Sequence, residues 1–413
     1  MSGGTGTMGY RVRIAGLLTS LTLCIVGAAF SPPSALGQQT NIDTADRMFV
    51  VALHQANLWI MPVSRQAPNQ TTNEGIRKAA REIFDAHSRL DVDILKAAAD
   101  AGIVLPNEPN SDQKARIVEL SDKIGSDHDR TFATTVRAAE SSLLVQASRI
   151  RALTKNSTMR TLAHVTMHGM MRNMTSLEAT GLVDPKAFQL DGKKAEVSAV
   201  RIIADNVEPA DRELYVQLRQ YSLWQTPISR EAADRAADAR VRNVSGRLAD
   251  EHTVLSQKIY DFAQRAGVVL PAEPTTEQKS WANAISKSSG PELDRMFANL
   301  LRAADGSLIT LVAESRATSR NDAVRELAQG SLEQLLGHMT LLESTGLVQS
   351  TSLTVSPETP ATETRATGPS PAPTSSSGRS GLLTGVIVLI VAAAGTLWLV
   401  RAVGHHGGSK HRR

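Results

Sequence analysis

Histidines and acidic side chains at matching positions in two parts of the chain are the residues best suited to bind a metal ion. They are Glu251, His252, Asp305 and His338 in the later part, with His87 and Glu140 as a reduced set in the earlier part. Imidazole and carboxylate groups together suit iron or manganese. The same groups also form hydrogen bonds between neighbouring helices without a metal. We expect the hydrogen-bonded arrangement and keep the metal site as the alternative.

The spacing around these histidines argues against a di-metal centre of the type found in four-helix bundles. That centre requires a Glu-x-x-His motif, in which both ligands project from one face of a helix. The residues three positions before the histidines are instead Phe84, Ala249 and Leu335. The metal alternative is therefore a simpler site made of histidine and carboxylate groups.

A second set of metal-binding residue types lies on one predicted helix, at His164, Met167, His168 and Met171. Their spacing places the four side chains on one helix face, and imidazole with thioether groups suits copper(I). At the corresponding positions of the later part, leucines replace the methionines, and a glutamine and a glutamate replace the histidines. We therefore predict methionines in the core and histidines at solvated positions, with copper binding as the alternative.

Motifs for other chemistry are missing from the sequence. The single cysteine, Cys24, lies in an N-terminal apolar run, so a processed chain has no disulfide, catalytic thiol or Cys-based zinc site. The sequence contains no phosphate-binding loop, serine nucleophile elbow or His-Glu-x-x-His motif. Its 4 Trp, 4 Tyr and 7 Phe do not interleave with a basic stripe that could stack on bases. We expect neither an enzyme nor a nucleic acid-binding protein.

An internal repeat must position all of these side chains. A shift of 165 residues superimposes residues 45–183 on residues 210–348 without a gap, with 52 identical residues in 139 pairs. Each copy has the size of a domain with its own core. The sequence therefore predicts a duplicated domain and not a short-period solenoid.

The apolar residues within each copy recur at spacings of three and four, which indicates helices. In the first copy we predict a first helix from about Thr44 past Trp59, which Pro62 should kink or end. Further helices are predicted from about Asn73 to Ala101, Gln113 to Lys123, Gly125 to Leu153 and Thr158 to Thr180. The predicted fold class is all-α, with two tandem four-helix, up-and-down bundles at 44–183 and 210–348, joined by a polar linker at 184–209 that includes a short helix at 195–204. We expect each copy to fold by itself.

Short motifs in both copies resemble the bacterial domain of unknown function numbered 4142. They are Asp85-Ala86-His87 and Asp250-Glu251-His252, the Ala-Gly-x-Val-Leu-Pro turns at 101–106 and 266–271, and Asp-Arg-x-Phe at 129–132 and 294–297. The resemblance covers both copies. It implies a ferritin-like helical bundle in an exported or membrane protein, and it brings no established activity.

This sequence also departs from the pattern of that family. His338 lies where members typically carry a late histidine, but the first copy has Asn173 there. An acidic residue often seen on the first helix is Ile60 or Gln225 here. Where the family has a histidine on the third long helix, both copies carry an acidic residue.

The two ends of the chain predict export and membrane anchoring. Residues 1–37 combine basic residues, an apolar run and a small-residue cleavage site, as in a signal peptide. Residues 349–380 contain 20 Ser, Thr or Pro among 32 positions, which predicts a disordered stalk. Residues 381–400 carry no charge and predict a transmembrane helix. The basic tail at 401–413 predicts a cytoplasmic C-terminus.

These features together predict a single-pass cell-membrane protein whose bulk is extracytoplasmic. The net charge of +4 derives from the basic residues beside the two apolar runs, so the region between them does not favour an anionic partner. We expect a non-enzymatic role in binding, sensing or envelope interaction, with an envelope component or a protein as the partner. The alternative is a ferritin-like metal-binding or redox and stress protein that uses iron, manganese or copper.

Overall fold

The computed structural model of the chain describes residues 42–190 and 207–353. The predicted signal peptide, the predicted helix at 195–204, most of the predicted stalk, the predicted transmembrane helix and the basic tail lie outside these ranges. Within them the chain forms ten α-helices, two short 3₁₀ turns and no strand. The predicted all-α class is confirmed for this part of the protein.

The helices follow the repeat. The first copy contains α1 (Thr44–Gln70), α2 (Glu74–Ala101), α3 (Ser111–Ser121), α4 (Gly125–Leu153) and α5 (Ser157–Glu178), and a 3₁₀ turn at Pro185–Phe188 follows it. The second copy contains α6 (Pro209–Arg235), α7 (Ala239–Arg265), α8 (Thr276–Lys287), α9 (Gly290–Thr318) and α10 (Asp322–Ser344). A second 3₁₀ turn at Ser350–Ser352 extends the folded part five residues into the predicted stalk.

Local sequence signals account for most helix ends. The side chain of Asn73 accepts a hydrogen bond from the Ile76 amide at 3.1 Å and so begins α2. Gly102 ends this helix in the left-handed region, at φ 60°, where glycine avoids the Cβ penalty. Pro62, however, does not end α1, which continues to Gln70. Pro62 is on the exposed face of the helix, where water can bond the carbonyl that loses its amide partner.

The connection between α2 and α4 crosses the length of the bundle, so the prediction of an up-and-down bundle is wrong. Past the end of α2, the Pro106 carbonyl accepts from His54 Nε2 at 3.1 Å, beside the first half of α1. At the other end of α3, Gln70 Nε2 donates to the Leu120 carbonyl at 2.8 Å, beside the end of α1. α4 therefore runs parallel to α2. This single crossover is typical of ferritin-like bundles.

The two copies share one continuous core. The larger cluster of buried apolar residues joins members of the first copy, such as Leu53 and Met167, to members of the second, such as Ile309 and Leu335. A smaller cluster lies around Trp224 and Phe297 in the second copy. Helices α4 and α9 pack directly against each other between the copies. Each copy thus has its own helix set, as predicted, but part of its apolar surface is covered by the other copy.

One of the described helices, α9, is long and apolar enough to cross a membrane by length and composition. Most of its apolar stretch is buried inside the protein. Core helices of water-soluble domains commonly have this property. We therefore interpret α9 as the central helix of the folded part.

Candidate functional site

In the first copy, His87 belongs to a closed hydrogen-bond network in the middle of the four-helix bundle. Its side chain is fully buried on α2. Nδ1 lies 2.7 Å from Asn57 Oδ1 on α1, and Nε2 lies 2.9 Å from Glu140 Oε1 on α4. Asn173 on α5 also donates to Glu140 Oε1, at 3.0 Å. One residue from each of the four long helices therefore takes part, and both ring nitrogens of His87 have partners.

The equivalent place in the second copy holds a buried carboxyl group. Asp305 on α9 accepts a hydrogen bond from the Tyr221 hydroxyl at 2.6 Å and from Gln225 Nε2 at 3.3 Å, both on α6. All three side chains are buried. Burial raises the pKa of Asp305 because desolvation disfavours the charged carboxylate. The carboxyl group is thus held in a polar cage with little access to water.

Two histidines lie beside this carboxyl group with few hydrogen-bond partners. The His252 and His338 ring centroids are 4.6 Å apart in an edge-to-face arrangement, and His252 meets Tyr221 in the same way at 5.1 Å. His338 Nε2 donates to Glu251 Oε2 at 2.9 Å. Among the described residues, neither nitrogen of His252 has a partner, and His338 Nδ1 and Asp305 Oδ2 have none either. Burial lowers the pKa of His252 well below its usual value, which favours the neutral ring.

Substitutions between the copies explain these unpaired atoms. Asp305 stands where the first copy has Glu140, and its side chain is one methylene shorter. Ser222 stands where the first copy has Asn57, and its hydroxyl bonds the Leu218 carbonyl of its own helix at 3.1 Å. Neither replacement hydrogen-bonds His252. In the first copy both nitrogens of His87 therefore have partners and Glu140 Oε2 has none, while in the second copy both nitrogens of His252, His338 Nδ1 and Asp305 Oδ2 lack partners among the described residues.

The predicted metal ligands are only partly brought together. No three His, Cys, Asp or Glu side chains within residues 42–190 and 207–353 are close enough to hold a metal ion. Glu251 lies between His338 and the exposed Arg247. Its Oε2 accepts a hydrogen bond from His338, and its Oε1 accepts one from Arg247 Nε at 2.7 Å. Tyr221 was not among the residues predicted from the sequence. The repeat contains a signal for this cage, because Tyr221 and Gln225 replace the apolar Ala56 and Ile60 of the first copy.

The predicted copper set divides between two environments. Met167 and Met171 are buried in the shared core, as predicted. His164 and His168 are half-buried, with ring centroids 4.8 Å apart, instead of being fully solvated. Burial and the nearby Arg151 lower the pKa of His164 to about 4. Glu343 and Glu333, both on α10, are close enough to His164 and His168 to act on them electrostatically, so the histidine pair lies beside α10 of the second copy.

A polar cleft of about 400 Å³ opens on the first copy between α1, α3, α4 and the following 3₁₀ turn. The small side chains of Ala52 and Ala56 leave the space, and Trp59 lies at its floor. Its rim is lined by Gln55, Gln113, Arg116, Glu119, Gln146, Lys186 and Gln189. A second depression of about 390 Å³ continues it and shares Glu119 and Lys186. Amide groups and charges of both signs therefore face solvent along one side of the first copy.

The second copy carries aromatic side chains at two of the equivalent positions. Tyr221 replaces Ala56, and Trp281 replaces Arg116. Trp281 is nearly buried and packs edge-on against Trp224, with ring centroids 5.6 Å apart. In the first copy the Arg116 guanidinium instead lies 5.5 Å from the centre of the Trp59 ring. The two copies have therefore diverged at this cleft.

Comparison with known proteins identifies the domain that is repeated. The model of the family described as Domain of unknown function (DUF4142) matches residues 31–179 and 200–344. A search of curated proteins and a search of solved structures found no match. The two matched segments cover more than half of the chain and coincide with the two copies of the repeat. The chain belongs to the DUF4142 family and carries its domain twice in tandem.

Proposed function

We propose that this protein is a membrane-anchored, extracytoplasmic binding protein without enzymatic activity, and that the cleft of the first copy is its ligand site. The observation that carries the proposal is the divergence at this cleft. The first copy has Ala56 and Arg116 beside an open polar cleft, while the second copy has Tyr221 and Trp281 at these positions, with Trp281 buried against Trp224. Membrane placement rests on the predicted signal peptide, stalk and apolar C-terminal segment.

The lining of the cleft favours an uncharged, hydrogen-bonding ligand from the cell envelope. Gln55, Gln113, Gln146 and Gln189 each offer an amide donor and an amide acceptor. Arg116 and Lys186 are opposed by Glu119, so the cleft carries only one net positive charge. Glycan strands of peptidoglycan carry hydroxyl and acetamido groups that match these amides. We therefore expect the cleft to bind cell-wall glycan.

Co-sedimentation with insoluble peptidoglycan tests this proposal. We expect the wild-type protein to pellet with the polymer. Arg116→Trp introduces the residue of the second copy, fills the cleft and should abolish pelleting. Arg47→Trp is the matched control, because Arg47 is exposed on α1 outside the cleft. A wild-type protein that stays in the supernatant, or an Arg116→Trp variant that pellets like the wild type, would contradict the proposal.

The second candidate function is metal binding in the core of the second copy, and it is favoured by the unpaired atoms of His252, His338 and Asp305. Leaving a buried polar atom without a partner costs about 1–3 kcal/mol, and a bound cation would supply the missing partner. Metal-binding histidines commonly donate their second ring N–H to a carboxylate, as His338 does to Glu251. Because no three ligand groups converge in the described structure, binding requires the two histidine rings to turn.

Elemental analysis after purification without added metal tests this second candidate. Stoichiometric iron, manganese or copper that is lost in His252→Ala but kept in His87→Ala would support it. The His87 variant is the matched control, because it removes the equivalent histidine of the first copy. Less than one metal ion per ten chains in the wild type would exclude a resident metal.

A further inference from the structure

A network of buried arginines and glutamates lies between the two copies. Within the first copy, Arg137 Nε and Nη2 donate to Glu178 Oε1 at 2.9 and 2.8 Å. Within the second copy, Arg302 Nε donates to Glu343 Oε1 at 2.6 Å. Both arginine side chains are fully buried. These two pairs occupy equivalent positions of the repeat, 165 residues apart.

Each glutamate also binds an arginine of the other copy. Arg316 Nη1 of the second copy donates to Glu178 Oε1 at 2.9 Å. Arg151 of the first copy binds both oxygens of Glu343, at 2.7 and 3.1 Å. Arg151 and Arg316 are themselves equivalent residues and are buried. Every cross-copy ion pair of this network therefore occurs twice, related by the shift of the repeat.

The hydrogen bonds from the arginines to backbone carbonyl groups are also reciprocal between the two copies. Arg137 Nη1 donates to the Ala317 carbonyl at 2.5 Å, in the last turn of α9. Arg302 Nη2 donates to the Arg151 and Ala152 carbonyls at 3.0 and 3.3 Å, in the last turn of α4. An arginine of each copy thus binds orphan carbonyls at the helix end of the other copy, where positive charge is favoured. Such reciprocal contacts are the signature of an isologous interface with pseudo-twofold symmetry.

We propose that this repeat interface, formed by Arg137, Arg151 and Glu178 of the first copy and Arg302, Arg316 and Glu343 of the second, is a self-complementary docking surface. Its partner is another copy of the same domain, and it holds the two copies together without the covalent connection between them. Contacts between α4 and α9 bury surface between the two copies. The crossed ion pairs fix the alignment of the copies, because a shifted arrangement would leave buried guanidinium groups unpaired.

Two buried arginines indicate that the partner is another copy of the domain. Arg151 and Arg316 form their ion pairs with an acid of the other copy, and their own copies provide none in the described structure. Removing the other copy would leave each of these two buried guanidinium groups without its ion pair. A second copy of the domain offers the glutamate and the helix-end carbonyls at the required positions. An unrelated partner would have to reproduce both.

The test separates the copies covalently in the full chain. A protease recognition sequence is placed within residues 191–206, an affinity tag is placed at the C-terminus, and the chain is purified in detergent. After complete cleavage we expect the fragment with the first copy to stay on the affinity resin with the second copy, at about micromolar protein. Release of this fragment from the cleaved wild type would overturn the proposal, whatever the variants do.

Variants then test the crossed ion pairs. Arg151→Met with Arg316→Met removes only cross-copy pairs, since Glu178 keeps Arg137 and Glu343 keeps Arg302. We expect the double variant to weaken retention by about tenfold or more for each pair lost. Arg47→Met with Arg212→Met is the matched control, because it removes two exposed, equivalent arginines and should leave retention unchanged. Circular dichroism of the uncleaved chains verifies helix content. Retention of the Arg151→Met, Arg316→Met variant equal to the wild type would show that these arginines do not hold the copies.

Discussion

Arg302 Nη1 lies about 3.0 Å from the position that a Cβ atom on Gly306 would take. In the first copy the equivalent residue is Ser141, and its hydroxyl accepts a hydrogen bond from Arg137 Nη1 at 2.9 Å. Arg302 Nη1 has no partner among the described residues. The glycine therefore removes one partner from the buried network on the side of the second copy.

Gly306→Ser should stabilise the protein by restoring this hydroxyl. We expect the free energy of unfolding of the fragment 38–380 to rise by about 1–2 kcal/mol, because the serine supplies a hydrogen bond and stiffens the helix. Urea denaturation measures the change. Gly306→Ala is the control, because it adds the same Cβ with its close contact to Arg302 Nη1 but no hydroxyl group. A serine variant no more stable than the alanine variant would contradict the hydrogen bond.

Asn57→Ala should destabilise the first copy more than Ser222→Ala destabilises the second. Asn57 is the partner of His87 Nδ1, so its loss leaves a buried polar atom unpaired, at a cost of about 1–3 kcal/mol. Ser222 bonds only a carbonyl of its own helix, and we expect a loss below about 1 kcal/mol. Urea denaturation of both variants compares them directly. Equal losses would mean that the Asn57 contact does not stabilise the core.

Asp211→Asn should change how stability depends on pH. Burial raises the pKa of Asp211 to about 6, above the unfolded value of 3.8. The folded state therefore binds more protons between these values, and this group makes stability fall as pH rises from about 4 to about 6. The asparagine variant lacks this titrating group, so its stability relative to that of the wild type should be greater at pH 7 than at pH 4.5. The urea midpoints of both proteins at the two pH values measure this change. The same difference between the midpoints of variant and wild type at both pH values would contradict the prediction.

Protease added to intact cells, or to spheroplasts where an outer barrier exists, should cut within residues 354–380. We expect release of a folded fragment that contains both copies, because the repeat interface holds them together and the stalk is predicted to be disordered. Immunoblotting against each copy measures the release. Protection of this segment together with digestion of the C-terminal tail would reverse the proposed topology.

Several features of the protein could be predicted from local sequence. The duplication, the helix ends at Asn73 and Gly102, and the buried positions of Met167 and Met171 all follow from identity, capping residues and apolar spacing. Capping residues and apolar spacing act over a few residues, and the duplication is found by aligning the chain with itself. They do not depend on how the helices are arranged in space, so the tertiary structure left them unchanged.

Other features were decided only by the tertiary structure. Apolar spacing defines the face of a helix that is buried, but it does not specify which neighbour covers that face or in which direction the neighbour runs. The crossover from α2 to α4 was mispredicted for this reason. The same limit hid Asn57 and Asn173 in the network of His87, the cage of Tyr221 and Asp305, and the crossed ion pairs of Arg151 and Arg316. Each of these contacts joins residues far apart in the chain, and its geometry depends on the rotation and direction of packed helices.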